Sequence, residues 1–376
     1  MRGMTSLHTR STTWMKLKME NLCSKRPAYR YMHLQEKMGV VWSYFFPNPS
    51  PPPDPVPLLM ETAWYNMIWN KNQALKGKLS TLHPKHPAVQ HLRILVSGPI
   101  GAGKSSFIYS IDSILQNKKL NAAERVTTGN FSGTKTFTTS KFKDEKGHPL
   151  SFVIGDVMGL ESADDSGVKT KDLVSILKGH IKDNYKFNPI SACSGEDIRY
   201  NSCPTLNDKA HCLVLVIPAD SFTASGHEAE KTNVLLDTDS IKKIQNIRRK
   251  ALDLRIPHVV ILTKVDLACP HVKEDIKHVY SSRTIHQKMQ ACSNALGIPT
   301  SDIFPVSNYH GDNEPGKNPD KDAVLLSTLT QILDYANDSL EKMKESEDAE
   351  DGFAMGPRRR RSMESNPDFA ESDTKQ

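Results

Sequence analysis

The chain has 376 residues, of which 38% are hydrophobic and 24% charged, an ordinary globular composition that excludes collagen-like and fully disordered chains. No apolar run approaches the ~18 residues that a membrane-spanning helix needs, and the longest, such as Cys212 to Ile217, are of strand length. The net charge of +6 arises in residues 1–50, with eight Lys/Arg against two acidic residues, while the rest balances at 41 of each sign, so the basic excess gives no direct sign of nucleic-acid binding.

Residues 1–18 are rich in Ser, Thr and Arg/Lys and hold no acid. This overlaps with a mitochondrial transit peptide, but reads here as a basic leader. Pro47 to Pro57, PNPSPPPDPVP, is an extended polyproline-type linker. Residues 1–58 are therefore expected to be a disordered leader and linker. The six cysteines form no CxxC pair and no Cys/His cluster at zinc spacing. With no secretory apolar segment, a reducing, cytoplasmic setting without membrane attachment is expected.

From Val89 onward, strand and helix patterns alternate. Leu92–Val96, Phe152–Ile154, Cys212–Ile217, Val259–Leu262 and Ile303–Val306 read as buried strands. Ser105–Leu115 and the series Ile241, Ile244, Ile247, Ala251, Leu254 have helical periodicity. Such alternation implies an α/β domain, mainly a parallel sheet with helices on both faces. The domain is expected over 59–344, with insertions near 161–209 and 221–238. Its last helix, 323–344, carries Leu325, Leu329, Ile332, Leu333, Ala336 and Leu340 on one face. Residues 345–376 form a charged tail expected to be disordered.

Gly98-Pro99-Ile100-Gly101-Ala102-Gly103-Lys104-Ser105 satisfies GxxxxGK[ST] between a strand and a helix. Glycines there let successive N–H groups turn inward as an anion nest, and the helix N-terminus adds its partial positive charge. Lys104 is expected to reach the β- and γ-phosphates and Ser105 to ligate Mg²⁺. Asp156-Val-Met-Gly159 follows the next strand, with Asp156 on the metal side and the Gly159 N–H toward the γ-phosphate. Thr263-Lys264-Val265-Asp266 follows a further strand and is similar to NKxD. An Asp in that place accepts two hydrogens from guanine, which adenine cannot supply. Thr in place of Asn is expected to weaken a tether between loops. A threonine within 133–141, Thr136 or Thr138 among them, is expected to cover the nucleotide.

These motifs, with GDVMGLE (155–161), ILKGHIKDNYKFNP (176–189), HVVILTKVD (258–266) and IFPVSNYH (303–310), resemble the interferon-induced protein 44 and 44-like family. The resemblance covers about residues 60–340. It implies a P-loop GTPase-like fold, induction by interferon and an antiviral, immune-response role. Position by position, it places Gly98, Gly101, Ala102, Gly103, Lys104, Ser105, Ser106 and Gly159 on the phosphates. Ser105 and Asp156 fall on Mg²⁺, and Thr263, Lys264, Asp266 and Ser307 on guanine. After Ser307 the usual Ala-Lys ending is replaced by Asn308-Tyr309, and the family's Pro-Trp-Arg appears as Ala63-Trp64-Tyr65.

Leu160 occupies the position where small GTPases hold a water-orienting glutamine, and 133–141 contains no arginine. The expectation is therefore a switch or scaffold that binds GTP and GDP with Mg²⁺ and hydrolyses weakly. Two alternatives stay open: an active GTPase that completes its site by self-association, and an interaction module that binds no nucleotide. Protein partners are not legible.

Overall fold

The five expected apolar runs fold as strands of one sheet, joined by a sixth that patterning missed. In the computed structural model, the described residues are 58–117, 135–161, 167–222, 236–309 and 318–354, all belonging to the unit Pro57–Gln376. The leader and linker over 1–57, most of the insertion expected near 221–238, and the tail beyond 354 lie outside them.

The strands are β1 (Leu92–Ser97), β2 (Thr138–Lys143), β3 (Pro149–Asp156), β4 (Cys212–Pro218), β5 (His258–Thr263) and β6 (Ile303–Pro305). Their order is β2-β3-β1-β4-β5-β6, parallel throughout except for the antiparallel edge strand β2. Central β4, CLVLVIP, is buried at every position. A parallel strand covered on both faces needs such an unbroken apolar run. Strand β2 has an exposed, polar edge pattern that hides it from an apolar search. It is folded back on β3 by a turn in which Asp144 N–H donates to His148 O and Gly147 N–H to Asp144 O.

The helices are α1 (Asn72–Ser80), α2 (Lys104–Leu115), α3 (Thr170–Leu177), α4 (Thr238–Asp253), the short α5 (Val265–Ala268) and α6 (Pro270–Glu274), α7 (Arg283–Leu296) and α8 (Pro319–Ala354). They pack in two groups. Helix α8 touches both α1 and α2, while α3 touches α4 and α4 touches α7. The split follows from topology. The chain leaves β1 in one direction to reach β3 and later returns past it to β4. Right-handed crossovers then put successive helices on opposite faces. The reversal sits beside β1, and at such a point the carboxyl ends of the strands leave a crevice for ligand. Helix α8 buries the predicted stripe of Leu325, Leu329, Ile332, Leu333, Ala336 and Leu340. It begins with Pro319, suited to a first helical turn, and continues to Ala354. Glu345, Glu347, Ala349 and Glu350 are good helix formers.

Candidate functional site

The loop after β1 lies at that reversal point. It cannot carry ordinary residues: a β-carbon on Gly98 would fall 2.1 Å from Val216 O on β4. Gly103 adopts φ 94°, left-handed backbone that turns the chain directly into α2. The loop therefore delivers the first amides of a twelve-residue helix to the carboxyl edge of the sheet.

Lys104 is the first residue of that helix and is only 7% exposed. Its ammonium donates to Gly98 O at 3.1 Å and Pro99 O at 3.0 Å. Both acceptors are neutral. Burial lowers the lysine's affinity for its proton, opposed by the nearby Asp156 carboxylate. A buried cation held by neutral groups is a site waiting for negative charge.

Ser105 Oγ donates to Asp156 Oδ2 at 2.6 Å. Asp156 ends β3 and is 6% exposed. A hydroxyl and a carboxylate brought to one point are hard oxygen donors of the kind Mg²⁺ takes, the rest of its shell coming from phosphates and water. The residues fit the ion. The register pairs Thr138 with Asp156 across β2 and β3, so Thr138 is the candidate threonine brought to the metal side. Thr136 instead bridges to Lys186, and Phe137 exchanges backbone bonds with Asn184 and Tyr185. The segment expected to cover the nucleotide is thus partly an edge strand and partly pinned to the 161–209 insertion. Phe137 also explains Gly155, whose β-carbon would meet the phenyl ring at 2.8 Å.

Gly159 lies against the phosphate loop itself, and Leu160, 3% exposed, donates its N–H to Gly98 O at 3.0 Å. The position that would orient water is a buried apolar side chain.

On the base side, β5 ends at fully buried Thr263, whose Oγ1 donates to Ala102 O at 2.6 Å. This corrects the expectation that threonine weakens the loop tether: the shorter side chain makes the tether through its hydroxyl. Lys264 holds φ 57°, a left-handed conformation costing a non-glycine residue ~1–2 kcal/mol, and it starts the short helix that carries Asp266. Ser307 follows β6, 1% exposed, and its Oγ has no hydrogen-bond partner among the described residues. Asn308, 2% exposed, donates Nδ2 to Gly103 O at 3.0 Å. A second side-chain tether thus runs from the base side to the loop. Tyr309 anchors that segment, its N–H donating to Ser110 Oγ on α2 and its hydroxyl to Asp322 Oδ1 on α8.

The structure therefore brings Gly98, Gly101, Ala102, Gly103, Lys104, Ser105, Ser106, Asp156 and Gly159 together along the ends of β1 and β3. It sets Thr263, Lys264, Asp266 and Ser307 along the ends of β5 and β6, and the Thr263 and Asn308 bonds join the two sets. Sequence reasoning missed Asn308 and Tyr309. It treated them only as departures from Ala-Lys, although an amide side chain just beyond a core strand is itself a signal for a loop tether.

No family model matches the chain. Among curated proteins, "Interferon-induced protein 44" of Homo sapiens is 34% identical over 272 residues, covering 72% of this chain and 58% of that protein. Its Mus musculus counterpart is 33% identical over 264 residues, 69% of this chain and 58% of that protein. "Interferon-induced protein 44-like" of Homo sapiens is 32% identical over 270 residues, 72% of this chain and 57% of that protein. The chain thus spans 57–58% of the length of these relatives. A solved structure titled "Crystal structure of a probable GTP-binding protein engB" overlaps loosely, at TM-score 0.34 and 14% identity, covering 65% of this chain and 98% of that one.

Proposed function

Because the chain belongs to the interferon-induced protein 44 and 44-like family, we propose that it is a guanine-nucleotide-binding switch or scaffold protein whose expression rises with interferon. One observation carries the nucleotide reading. At the reversal point of the sheet, a glycine loop seats the N-terminus of α2 beside a buried lysine with neutral partners and a hydroxyl–carboxylate pair at 2.6 Å.

In this reading the loop amides and Lys104 hold the phosphates, while Ser105 and Asp156 hold Mg²⁺, which when bound screens phosphate charge. Asp266 reads the guanine edge, and Ser307 closes the base side. Intrinsic hydrolysis is weak, since Leu160 supplies no polar group to align water. An antiviral role and a cytoplasmic setting belong to the same proposal. No helix among the described residues is long and apolar enough to cross a membrane.

The test is binding of labelled GDP, GTP and ATP to the full chain with Mg²⁺, wild type against Lys104→Ala and Asp266→Ala. Lys104→Ala is expected to lose all three nucleotides. Asp266→Ala is expected to lose the preference for guanine over adenine. Folded wild type that saturates with no purine nucleotide refutes the reading. A turnover rate per molecule that climbs with protein concentration would replace weak hydrolysis by self-assembled catalysis.

A further inference from the structure

The phosphate loop carries a branched side chain where its neighbour leaves no room. A β-carbon placed on Gly159 would fall 2.4 Å from Ile100 Cγ1 and 2.9 Å from both Ile100 Cα and N. Beside this contact, Leu160 N–H donates to Gly98 O at 3.0 Å, and Pro99 pairs with Leu160 as in a parallel ladder. Gly159 O in turn accepts from Val168 N–H at 3.3 Å. Residues 98–100 and 159–160 are thus clasped side by side. Ile100 is not core filling, for it remains 43% exposed.

A terminal phosphoryl that takes a hydrogen bond from Gly159 N–H must lie between Gly159 and the loop, with ~2.7–3.0 Å from nitrogen to oxygen. Ile100 N, Cα and Cγ1 pack against Gly159 and occupy the space between it and the loop. A diphosphate needs only the amides at the start of α2 and Lys104, whose ammonium shares Gly98 O with the clasp. We propose that Ile100 is a specificity residue: with the Gly98–Leu160 clasp, it makes the site favour a purine nucleoside diphosphate over the triphosphate. The inference rests on the nucleotide-binding reading above and deepens it. Triphosphate binding opens the clasp, and the 157–161 segment reports which nucleotide is present.

The experiment titrates the full chain, in Mg²⁺, with GDP and with the slowly hydrolysed analogue GTPγS. Wild type is expected to bind GDP about tenfold more tightly than GTPγS. Ile100→Ala, which removes Cγ1, is expected to shrink that ratio to about threefold or less, whereas Ile100→Val, which keeps a γ-carbon, retains it. Hydrogen exchange of wild-type 157–161 provides a second measurement that needs no variant: slow exchange with GDP, faster with GTPγS. Equal affinities in wild type, an unchanged ratio in Ile100→Ala, or equal protection with both nucleotides overturns the clasp and leaves nucleotide binding standing. Folded wild type that binds neither nucleotide defeats the underlying reading and this inference with it.

Discussion

The two ends of the parallel sheet treat buried polar groups differently. At the amino-terminal end the network around His211 is closed. His211, 5% exposed, receives Arg93 N–H on Nδ1 at 2.8 Å and donates Nε2 to Leu206 O at 2.9 Å. Arg93 Nε donates to Asn207 O, and Asn207 links Gln90 N to Ala88 O. At the carboxyl-terminal end, Ser97 Oγ, Ser307 Oγ and Asn308 Oδ1 are buried without a hydrogen-bond partner among the described residues, and buried Lys104 is met by neutral carbonyls. Asn72 Oδ1, Thr139 Oγ1, Asp172 Oδ2 and Ser221 Oγ are further cases among the described residues, and His258 Nδ1, at the start of β5, is an exception at the amino-terminal end itself. A satisfied network stabilises a fold; unused hydrogen-bonding capacity costs stability and persists where something else is to be bound. The first end should therefore answer to pH and denaturant, the second to ligand.

Lys104→Ala is the largest test of that division. Removing the cation proposed to face a polyphosphate in this buried site is expected to cost ~3–5 kcal/mol of binding, about a thousandfold in affinity. Folding stability should change little, because the two carbonyl acceptors and the nearby Asp156 carboxylate only offset the ammonium's lost hydration. A calorimetric titration paired with a urea melt reads both. A variant that binds normally but melts early would make Lys104 a structural residue and erase the contrast.

Acidification probes the other end. Burial pushes the His211 imidazole down to about 4, opposed by its bond to Leu206 O and helped by the nearby Arg93 guanidinium, against ~6.5 in an unfolded chain. Between these values the unfolded state binds the extra proton, so stability rises with pH there. The contribution is complete above ~6.5 and lost as pH falls toward 4, amounting to ~3 kcal/mol. Urea melts between pH 7 and 4 should show this slope in wild type and a flatter one in His211→Asn. Identical slopes would remove His211 from the stabilising network.

The phosphate side was legible because backbone chemistry leaves few alternatives. A helix start beneath converging amides demands glycines and a lysine at set spacing, and those residues appear in the order of the chain. Strands β1, β3, β4, β5 and β6 were legible for a related reason, since burial on both faces permits only apolar runs. Strand β2 was not, because an edge strand may be polar on its open side. Nor were the side-chain tethers. Thr263 and Asn308 reach the loop from strands far away in sequence, and no local pattern states which carbonyl a hydroxyl or amide will meet. The docking of 135–137 onto the 161–209 insertion was hidden for the same reason.

Asn308→Ala separates the tethers from the base contact. It deletes the Nδ2–Gly103 O bond, worth ~1–1.5 kcal/mol, and is expected to weaken GDP and ATP binding together by about tenfold, leaving their ratio intact. Competition titrations measure the ratio. A selective loss of guanine would move Asn308 from positioning the loop to reading the base.

Ser307→Ala gives the smallest effect and the sharpest distinction between the two ends. The substitution deletes one oxygen at a site 1% exposed and leaves the packing nearly unchanged. Since Ser307 Oγ has no hydrogen-bond partner among the described residues, its removal relieves a desolvated hydroxyl, and the nucleotide-free protein should gain ~0.5–1 kcal/mol in a urea melt. A serine kept only for packing would stop there, with nucleotide affinity unchanged. A serine kept for the ligand trades that stability for binding, so guanine affinity should drop about threefold while the free protein becomes more stable. The opposite signs of the two changes are the signature. If both quantities fall together, the hydroxyl belongs to the fold, and the carboxyl-terminal end obeys the same rule as the amino-terminal one.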